Sequence, residues 1–187
     1  MIRAMALSRR VLLRFALAFL FAAGTAVASE DAATSHDGHA DWHPNHLAVF
    51  FGGMTPLISN NPTNFAVGAA YERRFTGLWG AEGLADFVLG DHKRTALIAV
   101  GPTVRPFTLL EESRSRELLS PLKFSAGPGL EFVDKKGKRV TRHFVIRAGV
   151  GYEIGLGNFS LAPSVYIDFI GETQTNLTYG VYLGRGF

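Results

Sequence analysis

The sequence contains no cysteine, so it can form no disulfide, no thiolate metal site and no cysteine nucleophile. After its first 28 residues it also lacks any long apolar run. That excludes a spanning helix from the rest of the chain, because such a helix needs about 20 predominantly apolar residues. If this part enters a membrane, it does so as strands. A third shortage is hidden by the totals. The formal charge is +3, but Arg3, Arg9, Arg10 and Arg14 all precede residue 29, and without residues 1–28 there remain 15 Lys and Arg against 16 Asp and Glu. The near-neutral remainder lacks the positive footprint of a nucleic-acid binder.

What is present begins with those arginines. They head an apolar stretch from Val11 to Ala23, broken only by Arg14, and Ala26-Val27-Ala28 follows. A basic head, a short apolar centre and small residues at a cut describe a cleaved secretory signal over residues 1–28. The stretch is too short for a membrane anchor. Ser8-Arg9-Arg10-Val11-Leu12-Leu13-Arg14 also fits a twin-arginine export motif, but that route carries folded cargo, whereas a chain that inserts as strands crosses unfolded, so the motif is set aside.

Residues 29–45 read as a flexible His-rich lead. His36, His39, His43 and, at its border, His46 are spaced through Asp37, Asp41 and Trp42. The functional reading is weak capture of a divalent transition metal by imidazoles with carboxylate help. The structural reading is a solvated, pH-responsive tail with Trp42 at a membrane interface. The spacing matches no closed tetrahedral site.

From His46 onward the period is two. With 47% apolar and 12% aromatic residues the chain is not a disordered one, and its alternation predicts strands over about 46–54, 64–74, 79–89, 95–106, 122–133, 139–154, 159–169 and 177–187. Pro102 and Pro106 predict a bulge or bend in the fourth. Residues 107–121 predict a solvated loop, with an amphipathic helix as the alternative. On one face stand large apolar side chains such as Phe65, Phe87, Phe144 and Ile167. On the other, charges are interleaved with Gly68, Gly127, Gly129, Gly149, Gly151, Gly180 and Gly184. Glycine costs conformational entropy and serves no purpose on a watery surface, but a narrow interior needs its space. Apolar outside and polar inside is the membrane arrangement, as opposed to a soluble eight-stranded barrel with a greasy cavity. Eight such strands close into an all-β, antiparallel, up-and-down transmembrane β-barrel over residues 46–187.

The last strand, Tyr179-Gly-Val-Tyr-Leu-Gly-Arg-Gly-Phe187, resembles the closing strand of the β-barrel proteins of the Gram-negative outer membrane, small eight-stranded members included. The resemblance implies an assembly signal at Tyr179, Val181, Leu183 and Phe187, read by the barrel assembly machinery; Arg185 departs from the apolar series. It also implies an outer-membrane location, a monomer, and outer-membrane lipid and lipopolysaccharide as surroundings.

Projected inward are Glu72, Arg74, Glu82, Asp86, Arg105, Lys123, Glu131, His143, Arg147, Glu153 and Asp168. Unpaired charge in a narrow cylinder is costly, so an ion-paired, side-chain-filled interior is expected. That interior points to a structural or adhesive role at the cell envelope, with a narrow passive porin for ions or small solutes as the second reading. Lipid A deacylases are also small outer-membrane barrels, but they need a serine, a histidine and an acid at the lipid-facing surface. Here Ser125, Ser160, Ser164 and His143 project inward, so no enzyme and no cofactor are expected. Gly149-Val-Gly-Tyr lacks the third glycine and the helix of a nucleotide loop.

Overall fold

The computed structural model describes residues 43–58, 62–90, 93–110, 113–135, 138–171 and 174–187. The predicted signal at 1–28, His36, His39 and Trp42 lie outside them. Eight long strands are present among the described residues: β1 (Asn45–Pro56), β2 (Asn64–Arg74), β3 (Trp79–Leu89), β4 (Lys93–Val104), β5 (Leu122–Lys135), β6 (Thr141–Tyr152), β8 (Phe159–Ile170) and β9 (Gln174–Gly186). A three-residue β7 (Ile154–Leu156) pairs with the start of β8. Consecutive long strands pair antiparallel, β6 with β8 included, and β1 pairs β9. The sheet therefore closes on itself, leaving no edge whose backbone groups would lack partners in hydrocarbon.

The alternation determines which face points where. Phe51, Phe65, Trp79, Val100, Leu130, Phe144, Phe169 and Leu183 are all exposed, so every long strand contributes to an apolar outer belt. A continuous apolar surface of this kind has no place on a monomer in water. On a barrel of strands 11 to 14 residues long it is the lipid-facing wall, since a tilted strand crosses hydrocarbon in about 9 to 11 residues. The chain is a transmembrane β-barrel. Glycine makes room inside it. A methyl at Gly149 would fall within the Tyr166 ring, and one at Gly68 would collide with the Asp86 carboxylate.

Three details differ from the alternation reading. The fourth strand ends at Val104, because Pro106 opens a 3-10 turn, Pro106–Leu109, where the missing N–H is no loss. Pro102 causes no bulge: Ala99↔Gly129 and Thr103↔Ser125 keep one register, and the β4–β5 ladder is only interrupted between them. The sixth strand is bounded at Tyr152, one residue short of the Glu153 N–H that donates to the Pro121 carbonyl at 2.9 Å in the same register. The 105–121 connection holds the 3-10 turn and a short helix α1 (Arg114–Leu119), capped by Ser113 Oγ accepting from the Arg116 N–H.

Both ends of the ring, the start of β1 and the end of β9, lie at one mouth, called here the terminal end. The opposite mouth, where β1 joins β2 and β8 joins β9, is the loop end.

Candidate functional site

At the terminal end, inward positions of β2, β3 and β5 and the first residues past β4 and β6 converge. Arg105 lies across Glu72 in a fork, Nη1 to Oε1 at 2.7 Å and Nη2 to Oε2 at 2.9 Å, and Nη2 also reaches Glu153 at 3.1 Å. Arg74 Nη2 donates to both Glu153 oxygens at 2.7 Å. Lys123 Nζ donates to Glu82 at 2.6 Å and stands 3.6 Å from Glu72. Thr103 adds a hydroxyl to Glu72 at 2.8 Å. Three bases thus meet three acids, and forked, charge-assisted bonds of this kind are the strong ones.

Arg105 and Glu153 lie just beyond the spanning strands. Burial works against both charges, yet each is held firmly ionised. Bonds to Glu72 and then Glu153 raise Arg105 above its ordinary value. The guanidiniums of Arg74 and Arg105 lower the Glu153 carboxyl to about 2.

Midway along the axis, Arg147 donates from Nε to Asp168 Oδ1 at 2.5 Å and from Nη2 to Oδ2 at 3.0 Å, while Nη1 bonds Asp86. Thr178 donates to the same Asp168 at 2.9 Å. The guanidinium carbon lies 4.9 Å from the Tyr166 ring centre, a cation–π contact. Tyr166 packs edge-on against Tyr182 and Tyr182 packs tilted against Phe50, with ring centres 6.2 and 4.8 Å apart.

Towards the loop end the interior turns apolar. Met54, Ala66, Val88, Leu97, Val145 and Ile170 are buried there, on positions of the same parity as the charged ones. Thr95, Asn176 and Glu131 are buried polar exceptions; Glu131 is 1% exposed, and neither carboxylate oxygen has a hydrogen-bond partner. Its register partner His143 keeps the inward parity but is exposed at the mouth.

Of the eleven residues predicted to line the interior, the structure brings nine into two clusters. Glu72, Arg74, Glu82, Arg105, Lys123 and Glu153 form one; Asp86, Arg147 and Asp168 form the other. Glu131 and His143 belong to neither. Thr103, Thr178, Tyr166 and Tyr182 complete the clusters; face parity identifies them, but charge does not.

His46 turns into the barrel and packs on Gly184. Its Nε2 lies 2.6 Å from Ser160 Oγ and 3.8 Å from Glu153. No group of three metal-ligating side chains occurs among the described residues. On β9, Tyr179 and Leu183 are exposed and Val181 is half-buried, while Phe187 exchanges backbone hydrogen bonds with Asn45 at 3.2 and 2.9 Å.

Little space is left. One cavity of about 20 Å3 is bordered by His46, Glu72, Lys123, Glu153 and Tyr182, and another by Gly101, Ser125, Gly127 and Arg147. Each has room for about one water.

No protein-family model matches this sequence, and a search of curated proteins gives no match. Solved structures do. The attachment invasion locus protein Ail of Yersinia pestis aligns over 78% of this chain and 100% of its own, with 13% identity and a TM-score of 0.50. The N-terminal β-barrel domain of Pseudomonas aeruginosa OprF aligns over 78% of this chain and 98% of its own, with 12% identity and a TM-score of 0.56. At such identities the likeness is one of fold, that of the small outer-membrane β-barrels.

Proposed function

We propose that the protein is a monomeric outer-membrane barrel that works through its outer surface, in a structural or adhesive role at the cell envelope, and does not conduct solutes. The terminal end faces the periplasm in this reading, and the loop end faces outward among lipopolysaccharide. One observation carries the proposal: the bore is crossed by an ion-paired cluster, then by Arg147 with its two aspartates and three packed aromatic rings, then by mostly apolar side chains, with water-sized cavities among them. An eight-stranded ring has an interior just wide enough for its own side chains.

The reading assigns no catalytic step. Ser160 and His46 touch, but the same Nε2 faces both Ser160 and Glu153. Among the described residues no acid is bonded to its other nitrogen to orient the ring as a general base.

Planar bilayers test the proposal. Refolded protein, its closure checked by a heat-dependent shift in gel mobility, should give no steady current. Reproducible conductance steps would replace this reading with that of a narrow passive porin. Envelope fractionation of the native host should find the protein with the outer membrane, and recovery with the inner membrane would overturn the location.

A further inference from the structure

The two flanks of the loop end differ in charge. Where β4, β5 and β6 reach it, Lys93, Arg94, Lys135, Lys138, Arg139 and Arg142 crowd together, and all but Lys93 are exposed. The ends of β1, β2, β8 and β9 at the same mouth, residues 54–58, 62–66, 169–171 and 174–177, carry no charged side chain among the described residues. Among the described residues the surface acid on the basic flank is Asp134, the register partner of Arg94 and already engaged.

Two features of the flank bear on what it could hold. Lys93 and Lys135 are direct register partners, and like charges opposite one another destabilise a sheet. Glu131 lies below them, 1% exposed and without a hydrogen bond; both lysines act on its carboxylate only through space, with no close ion pair. The turn between β5 and β6 adds Lys138 to the pair, its N–H donating to the Lys135 carbonyl at 2.9 Å.

The second feature is depth. Arg142 shares the lipid-facing parity of Phe144 and stands two residues, about 7 Å, closer to the mouth. Its guanidinium carbon lies 5.8 Å from the Phe132 ring centre. That aromatic seat fixes a charged fork just above the apolar belt, the level of lipid headgroups.

We propose that this β4–β6 flank binds the phosphate groups of an anionic lipid in the leaflet at the loop end. Arg94, Arg139 and Arg142 grip phosphate oxygens from the lipid side, and Lys93, Lys135 and Lys138 neutralise them from the mouth. A lipid is the occupant because Arg142 sits on the wall that faces lipid, directly continuous with the belt. The inference rests on the membrane-spanning reading but not on the closed bore: a conducting barrel would leave it standing.

The test uses the full chain refolded in phosphatidylcholine nanodiscs containing diphosphoryl lipid A or the same lipid without its phosphates. The lipid retained after transfer to mild detergent is counted by native mass spectrometry. The R94Q/R139Q/R142Q variant should retain diphosphoryl lipid A about 100-fold more weakly, near fivefold per charge removed. R114Q/R116Q at the opposite mouth should match the parent. A single K135Q change should weaken lipid retention and at the same time raise the urea midpoint in pure phosphatidylcholine, a pair of opposite signs that a purely structural lysine would not produce. Gel mobility confirms that each variant is folded. Equal retention by parent and triple variant, equal retention of the dephosphorylated lipid, or capture of a sulfated polysaccharide fragment with no capture of lipid A would each overturn the proposal.

Discussion

The terminal half of the bore and the loop half occupy the same barrel and the same strand parity, yet they are filled by opposite means. In the terminal half Glu72, Glu82 and Glu153 are answered one for one by Arg105, Lys123 and Arg74, with hydroxyls from Thr103 and Ser160 at hand. In the loop half Leu97, Val145 and Met54 fill the same kind of position, and Glu131 has neither ion pair nor hydrogen bond. The difference teaches that filling a narrow barrel does not demand polarity. It demands that whatever polarity is present be answered, because an unanswered buried group carries its desolvation cost alone.

The sharpest way to break that comparison is at its border. Arg147→Met would leave Asp86 and Asp168 facing each other without a cation, and removing one partner of a buried ion pair costs about 3 to 5 kcal/mol. Urea unfolding in detergent micelles, followed through Trp79 on β3, should show a loss of that size. A loss below about 1 kcal/mol would mean that the cluster fills space without holding the fold together.

Next in size is an acid effect confined to the terminal half. Glu153 has its carboxyl lowered from 4.5 to about 2. A lowered folded-state value contributes stability that is fully present above the unfolded value and is lost as the pH falls from about 4.5 towards about 2. Glu153→Gln should therefore cost up to about 3 kcal/mol at neutral pH and flatten the acid limb of a stability–pH curve. An unchanged limb would show that Arg74 and Arg105 do not stabilise this carboxylate.

In the loop half the sign should reverse. Glu131→Leu replaces an unpartnered buried carboxylate by an apolar side chain of similar size among Leu97, Val133 and Val145. It should gain about 1 to 3 kcal/mol, the desolvation cost of an unsatisfied group. A loss would show that Lys93, His143 and Lys135 stabilise the Glu131 carboxylate through space by more than its desolvation costs.

How much of this was legible in the sequence follows from what periodicity encodes. Alternation places each side chain inside or outside, so the belt, the eight long strands and the membrership of Glu72, Arg147 or Asp168 in the interior could all be read directly. It says nothing of height or of shear. Arg105 meets Glu72 although β3 lies between their strands, because the bore is narrow enough for side chains to cross it. His143 has inward parity but stands at the mouth, and His46, read with the lead, belongs to β1 and leans on Ser160. Nor did charge on the inner face reveal how much of its loop half is apolar: Val88, Leu97 and Val145 share the inward parity of Asp86 and Arg147 and are buried.

The smallest expected effect concerns the wall around both halves. Between Ala99↔Gly129 and Thr103↔Ser125 the β4–β5 ladder is interrupted, with Pro102 on one side and Pro128 on the other. Proline brings no N–H to a ladder, so this seam is held by close packing instead: a methyl on Gly101 or Gly127 would strike the backbone opposite. Fewer cross-strand bonds lower the cost of a local opening by about 1 kcal/mol for each bond absent. Hydrogen exchange in nanodiscs should therefore show the amides of Gly101 and Gly127 exchanging several-fold faster than those of Ala99 and Ser125, with little change in overall stability. Uniform protection along β4 and β5 would mean that glycine packing alone seals the wall, and that the difference between the two halves is confined to the bore.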